Sequence, residues 1–135
     1  LSIVGTNILQ KQEHDLFDLA VQLNRTKAVE VLVNRCDTVT VSKAFPIVCW
    51  NGNSKMATTL LELFPNITPT KFANAGLLVA TKKGHTKFME AVIPYFTQGA
   101  KDWAPHMYRA TKKGFWGIAD ALLRAGRFPK TNGGY

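Results

Sequence analysis

The chain has 135 residues, of which 46% are hydrophobic, and this is enough for one globular domain that buries about two-thirds of the surface of its unfolded chain. Charges, glycines or prolines interrupt every apolar stretch after a few residues, which excludes a membrane-spanning helix of about 20 apolar residues. The formal net charge is +8, and all of this excess lies after residue 67: residues 1–67 carry six basic and six acidic side chains, whereas residues 68–135 carry eleven and three.

Four segments along the chain share a pattern that predicts the same turn between two helices. In chain order their anchor residues are Asn24, Gly52, Gly84 and Gly114, which are 28, 32 and 30 residues apart. Glycine and asparagine both tolerate the left-handed backbone that ends a helix. The last two copies are the most alike, because Ala-Thr-Lys-Lys-Gly occurs at 80–84 and again at 110–114.

Apolar residues recur at fixed distances on both sides of these anchors. Each first helix is predicted from the apolar residues before its anchor: Leu16, Phe17, Leu19 and Ala20; Phe45, Ile47 and Val48; Leu77, Leu78 and Ala80; Met107, Tyr108 and Ala110. Each second helix carries paired apolar residues eight and nine positions after its anchor: Leu32 and Val33, Leu60 and Leu61, Val92 and Ile93, Leu122 and Leu123. These spacings place the apolar residues on one helical face, which a single two-helix unit cannot bury alone.

The sequence therefore predicts an all-α fold, a short solenoid of about four stacked helix-turn-helix repeats joined by irregular loops. We expect one domain over 1–135, with repeats at approximately 14–36, 43–66, 71–97 and 104–126 and a flexible tail at 127–135. The N-caps predicted for the second helices are Thr26, Ser54 and Thr86. Pro69 and Pro105 are predicted in the first turns of the helices that precede Gly84 and Gly114, and Pro94 is expected to end or kink a helix near Ile93.

The third copy, Ala80-Thr81-Lys82-Lys83-Gly84-His85 followed by a helix with Val92-Ile93, resembles the ankyrin repeat. The fourth copy, which ends in Leu122-Leu123-Arg124-Ala125-Gly126, is also similar to that family. The resemblance covers residues 14–126 and implies a binding scaffold, with His85 in a structural position of the turn. The Thr-Pro-Leu-His opening of ankyrin repeats is absent from all four copies, so an unrelated α-helical solenoid is the alternative.

No catalytic constellation is visible in the sequence. A Gly-rich phosphate loop, a nucleophile elbow and a His-Glu-x-x-His motif are all absent, and Cys36 and Cys49 have no zinc-type spacing. We therefore expect no enzymatic activity, no cofactor and no metal. The two cysteines are interpreted as free thiols in a reducing, intracellular compartment, and His14 and His106 as surface residues.

The basic second half predicts the binding surface. Stacking of the last two copies brings their Lys-Lys pairs together, and Trp50 and Trp103 are expected to be exposed. The candidate partner-binding residues are Trp50, Lys82, Lys83, Lys87, Trp103, Arg109, Lys112 and Lys113. A protein with an acidic surface is the favoured partner, nucleic acid or a phosphate ligand is the alternative, and a structural spacer within a larger protein is the third hypothesis. Lysines that simply remain solvated would give the same pattern.

Overall fold

The computed structural model describes the backbone of residues 3–96 and 100–125, and the side chains of residues 11–96 and 103–125. Within these ranges every regular element is helical and no strand occurs, so the predicted all-α class is confirmed. None of the described helices is both long and apolar enough to cross a bilayer. The predicted flexible tail at 127–135 lies outside the described residues. The helices are α1 (Ile3–Gln22), α2 (Thr26–Leu32), α3 (Thr38–Asn51), α4 (Ser54–Leu63), α5 (Lys71–Lys83), α6 (Thr86–Val92), α7 (Ala100–Lys113) and α8 (Trp116–Arg124).

The eight described helices form four hairpins, and every hairpin bends at a predicted anchor. The φ angles of the anchors are 60° at Asn24, 70° at Gly52, 74° at Gly84 and 75° at Gly114. A side chain with a Cβ is disfavoured at such angles, which explains why glycine occupies three of the four positions. The four predicted turns are therefore confirmed.

The hairpins pack in chain order. The first helices contact one another from α1 to α3, α5 and α7, and the second helices contact one another from α2 to α4, α6 and α8. The turns Val33–Arg35, Pro65–Ile67 and Ile93–Tyr95 follow the second helices of the first three hairpins. Residues from all four hairpins make up one apolar core, including Phe17, Phe45, Leu77 and Leu122, each of them fully buried.

The residue after a bend covers the bend of the preceding hairpin. A Cβ on Gly52 would lie 3.1 Å from the ring of His85, and a Cβ on Gly84 would lie 3.0 Å from Cζ of Phe115. The His85 ring also places Nε2 3.0 Å from the backbone oxygen of Trp50. Glycine is thus required at Gly52 and Gly84 for two reasons, because the backbone is left-handed and an aromatic ring lies against it.

The first two hairpins meet through amide groups. Asn53 Nδ2 donates to Asn24 Oδ1 at 2.8 Å and to Thr26 Oγ1 at 2.9 Å. The other end of this amide caps α4, since Asn53 Oδ1 accepts from the backbone N–H of Met56. The N-cap predictions were wrong by one residue: the second helices begin at the predicted caps and not after them, at Thr26, Ser54 and Thr86.

The predictions for Pro69, Pro94 and Pro105 differ in outcome. The prediction for Pro94 is confirmed, because α6 ends at Val92 and Pro94 lies in the turn that follows. Pro105 was wrongly placed in a first turn, since α7 begins at Ala100 and continues through it. The helix begins before Pro105 because Trp103 and His106 bury their side chains there. This burial offsets the loss of the backbone hydrogen bond that a proline cannot donate. Pro69 was also wrongly placed in a first turn, since it precedes α5, which begins at Lys71 and is capped by the side chain of Thr70.

Candidate interaction surface

The candidate site is the outer side of the first helices, where their last turns approach the bends. We use the name first-helix face for a set of exposed residues: Trp50 on α3, Lys82 and Lys83 on α5, Lys112 and Lys113 on α7, and Tyr108 one turn earlier on α7. Each of the predicted site residues in this set is exposed, as the repeat pattern indicates. Neighbouring first helices pack side by side, so the face extends across three hairpins.

Trp50 and Lys83 meet on this face although they belong to different hairpins. Nζ of Lys83 lies 3.9 Å from the centre of the Trp50 ring, while 58% of the Trp50 surface remains exposed. A cation over an indole ring at this distance is stabilised by about 0.5–1 kcal/mol at an exposed site. The contact holds a large aromatic ring and a positive charge at one point of the surface.

A shallow groove lies between α5 and α7. Its apolar part comes from Leu78 and the Tyr108 ring, and its charges come from Arg109 and Lys112. Nζ of Lys112 lies 5.9 Å from the Tyr108 ring centre, the same kind of contact as that of Lys83 with Trp50. The groove therefore brings an aromatic ring together with two cations, and Arg109 lies with Lys112 along it.

The lysines of the face have no carboxylate partner among the described side chains. The four ion pairs there join Arg35 to Glu13, Lys55 to Glu30, and Arg124 to both Glu90 and Asp120. Lys82 and Lys83 end α5 and Lys112 and Lys113 end α7, where a positive charge interacts favourably with the helix dipole by about 0.3–1 kcal/mol. That local stabilisation leaves their charges free to attract an anion.

Lys87 lies apart from the other lysines. It is exposed in the first turn of α6, on the far side of the Gly84 bend from Lys83. The structure thus gathers the predicted lysines and Arg109 on first helices but puts Lys87 on a second helix.

The prediction of an exposed loop position for Trp103 was wrong. Trp103 lies within α7, is 1% exposed and packs edge-on against Phe96 at 6.0 Å between ring centres. Its ring also lies 5.3 Å from that of His106. Trp103 is therefore part of the core and is not available to a partner.

His106 was predicted at the surface and is instead 1% exposed. Burial lowers its pKa to about 4, so that the ring is neutral near pH 7. Its Nε2 lies 3.0 Å from Oδ1 of Asn74 on α5, so Nε2–H donates to this oxygen and Nδ1 stays unprotonated. The signal that could have placed both residues is their spacing: Trp103, His106 and Ala110 lie three and four positions apart, on one helical face.

The two cysteines are free, as predicted. Burial raises the pKa of the Cys49 thiol strongly, and it raises the pKa of Cys36 to about 11. Neither thiol is therefore activated as a nucleophile.

Comparison of the chain with protein-family models, with curated proteins and with solved structures finds no match. Proposals about its function therefore depend on the geometry above and on the residues that resemble the ankyrin repeat.

Proposed function

We propose that the protein is a protein–protein interaction module, a short solenoid of four ankyrin-like hairpins that binds an acidic segment of another protein. The scaffold part is supported by the four like bends and by the packing of the hairpins in chain order. The contact of Lys83 with Trp50 carries the functional part, because it joins an exposed indole and an unpaired cation. Tryptophan is enriched among the residues that dominate binding energy at interfaces.

The first-helix face suits an extended acidic segment. Carboxylates of the segment lie against Lys82, Lys83 and Lys112, and its apolar side chains contact the rings of Trp50 and Tyr108. The charges increase the association rate and exclude basic partners, while the rings slow dissociation. Because the lysines are exposed, their contribution decreases as salt is added.

Charge reversal tests the proposal with a fluorescent peptide that alternates glutamate with leucine as the probe. Replacement of Lys82, Lys83, Lys112 and Lys113 by glutamate is expected to abolish the rise in fluorescence anisotropy. The matched control replaces Lys11, Lys43, Lys71 and Lys87, which are exposed outside the first-helix face, and also takes the net charge from +8 to zero. Binding that is lost equally in both variants would overturn the proposal, since net charge alone would then explain it.

The unpaired lysines favour nucleic acid or a phosphate ligand as a second candidate. If four of these side chains contact duplex phosphates, the logarithm of the binding constant falls with the logarithm of salt concentration with a slope of about −3.6. Replacement of Trp50 by alanine distinguishes the two functions. It is expected to weaken binding of the peptide while leaving the shift of generic DNA or RNA in a gel unchanged. A spacer without a binding role predicts that the wild type retains neither probe.

A further inference from the structure

The last hairpin exposes side chains whose counterparts in the other hairpins are buried. Nine positions after the bend, Leu123 is 55% exposed, whereas its counterparts Val33, Leu61 and Ile93 are at most 2% exposed. Three positions before the bend, Thr111 is exposed, whereas its counterparts are completely buried, namely Val21, Cys49 and Thr81. Cys49 lies against the next hairpin, since a Cβ on Gly76 of α5 would lie 2.7 Å from its Sγ. We call Thr111, Trp116 and Leu123 the trailing face.

Several apolar side chains described in the first hairpin are exposed on its opposite side. Leu16, eight positions before the bend, is 52% exposed, whereas the counterparts Ala44, Gly76 and His106 are buried. Gly76 and His106 lie against Cys49 and Asn74 of the hairpin before them. Leu19, Leu23 and Val31 are also exposed. Leu23 corresponds to Asn51, whose side chain donates to the backbone oxygen of Val21 in the preceding hairpin. We call Leu16, Leu19, Leu23 and Val31 the leading face.

The charges of the two faces match those of an interior contact. Between the first two hairpins, Lys55, three positions after its bend, pairs with Glu30, six positions after the previous one. The same two positions on the uncovered faces hold Lys27 on the leading side and Asp120 on the trailing side. Asp120 already pairs with Arg124 at 2.7 Å and remains largely exposed.

The last bend, at Gly114, differs from the other two glycine bends because none of the described aromatic rings covers it in the same way. Gly52 and Gly84 are covered by the ring of the next hairpin's first residue after the bend, but among the described atoms only Trp116 Nε1, at 4.0 Å, comes near a Cβ on Gly114. The residue that would cover Gly114 in a continued row is Arg25, which is exposed.

We propose that the trailing face of one molecule binds the leading face of a second copy of this chain, so that the hairpins continue head to tail. Leu123 and Trp116 then pack against Leu16 and Val31, and Lys27 pairs with Asp120. The contact joins two different faces, so it does not close on itself and extends to longer assemblies as concentration rises. Neither face includes the lysine pairs, so the contact between copies can be tested independently of the proposed binding of an acidic partner.

One-ended variants test this contact by sedimentation velocity on the full chain. The wild type is expected to sediment as a series of oligomers that lengthens between micromolar and millimolar concentration. Replacement of Leu123 by aspartate blocks the trailing face, and replacement of Leu16 and Leu19 by aspartate blocks the leading face. Each variant alone is expected to associate at least about tenfold more weakly, because a desolvated charge costs more than the ~1.4 kcal/mol that corresponds to this factor.

Mixing gives the decisive result. Each one-ended variant keeps the face that the other has lost, so an equimolar mixture is expected to form dimers and nothing longer. The replaced residues are exposed, and an unchanged urea midpoint confirms that each variant is folded. A wild type that remains monomeric at millimolar concentration would overturn the proposal. So would a dimer that one variant alone forms as tightly as the mixture does, because it would join two like faces.

Discussion

A methyl group at Gly84 and one at Gly114 test whether the hairpins pack in the order described. Both glycines have nearly the same φ, 74° and 75°, but only Gly84 lies under an aromatic ring, with Phe115 Cζ 3.0 Å from a Cβ. At Gly114, alanine costs about 1–2 kcal/mol for the left-handed backbone, and the stiffer unfolded chain offsets roughly 0.4–1 kcal/mol of it. At Gly84 the ring must also move, which adds about 1–3 kcal/mol.

Urea unfolding followed by circular dichroism measures the difference. Gly84→Ala is expected to lose about 1–3 kcal/mol more stability than Gly114→Ala, a large part of the 5–15 kcal/mol of an ordinary domain. When Phe115 is first replaced by alanine, Gly84→Ala should cost no more than Gly114→Ala, because the overlap is gone. Equal losses for the two glycine variants in the wild-type background would refute the packing of Phe115 on the Gly84 bend.

Three further predictions concern burial. Leu61→Ala should destabilise the protein by about 2–5 kcal/mol and the counterpart Leu123→Ala by less than about 1 kcal/mol, as measured by urea unfolding. Similar losses in the two variants would contradict the exposure of Leu123 on the last hairpin. His106 has a folded-state pKa of about 4, below its ordinary 6.5, so the stability held by its neutral ring is present above pH 6.5 and is lost as pH falls towards 4. The free energy of unfolding of the wild type should fall by about 2 kcal/mol between pH 6.5 and about pH 5, and that of His106→Leu should not. An equal change with pH in the two proteins would show that the ring titrates normally. A disulfide reagent should label Cys36 slowly at neutral pH and Cys49 only at the rate of unfolding. Each thiol is measured alone, Cys36 in the variant Cys49→Ser and Cys49 in the variant Cys36→Ser, and rapid labelling of both variants would contradict the burial of Cys49.

The bends and the core could be predicted from the sequence because both depend on local requirements that repeat. A left-handed turn needs glycine or asparagine, so Gly52, Gly84 and Gly114 mark the turns directly. The paired aliphatic residues mark the buried side of each second helix, since only one face of a helix can turn towards the core.

The exposure of the candidate site residues was predicted correctly where the side chains follow the repeat and wrongly where they do not. Trp50 and Lys112 occupy a position that is exposed in all four hairpins, so their exposure follows from the pattern. Trp103 lies before the part of its hairpin that aligns with the others, and its burial depends on a contact with Phe96 from the preceding hairpin. Pro105 suggested that the helix begins later than it does, and thus Trp103 was assigned to a loop.

The contacts at the bends differ in chemistry, and this restricts how hairpins of this chain can be rearranged. An amide, an imidazole and a phenyl ring follow the second, third and fourth bends, at Asn53, His85 and Phe115. Excision of the third hairpin would set the Phe115 ring over Gly52, which has the empty space that an aromatic ring needs. Excision of the second would instead set the His85 ring over Asn24, whose side chain occupies that space. We therefore expect a protein that lacks the third hairpin to be more stable than one that lacks the second hairpin.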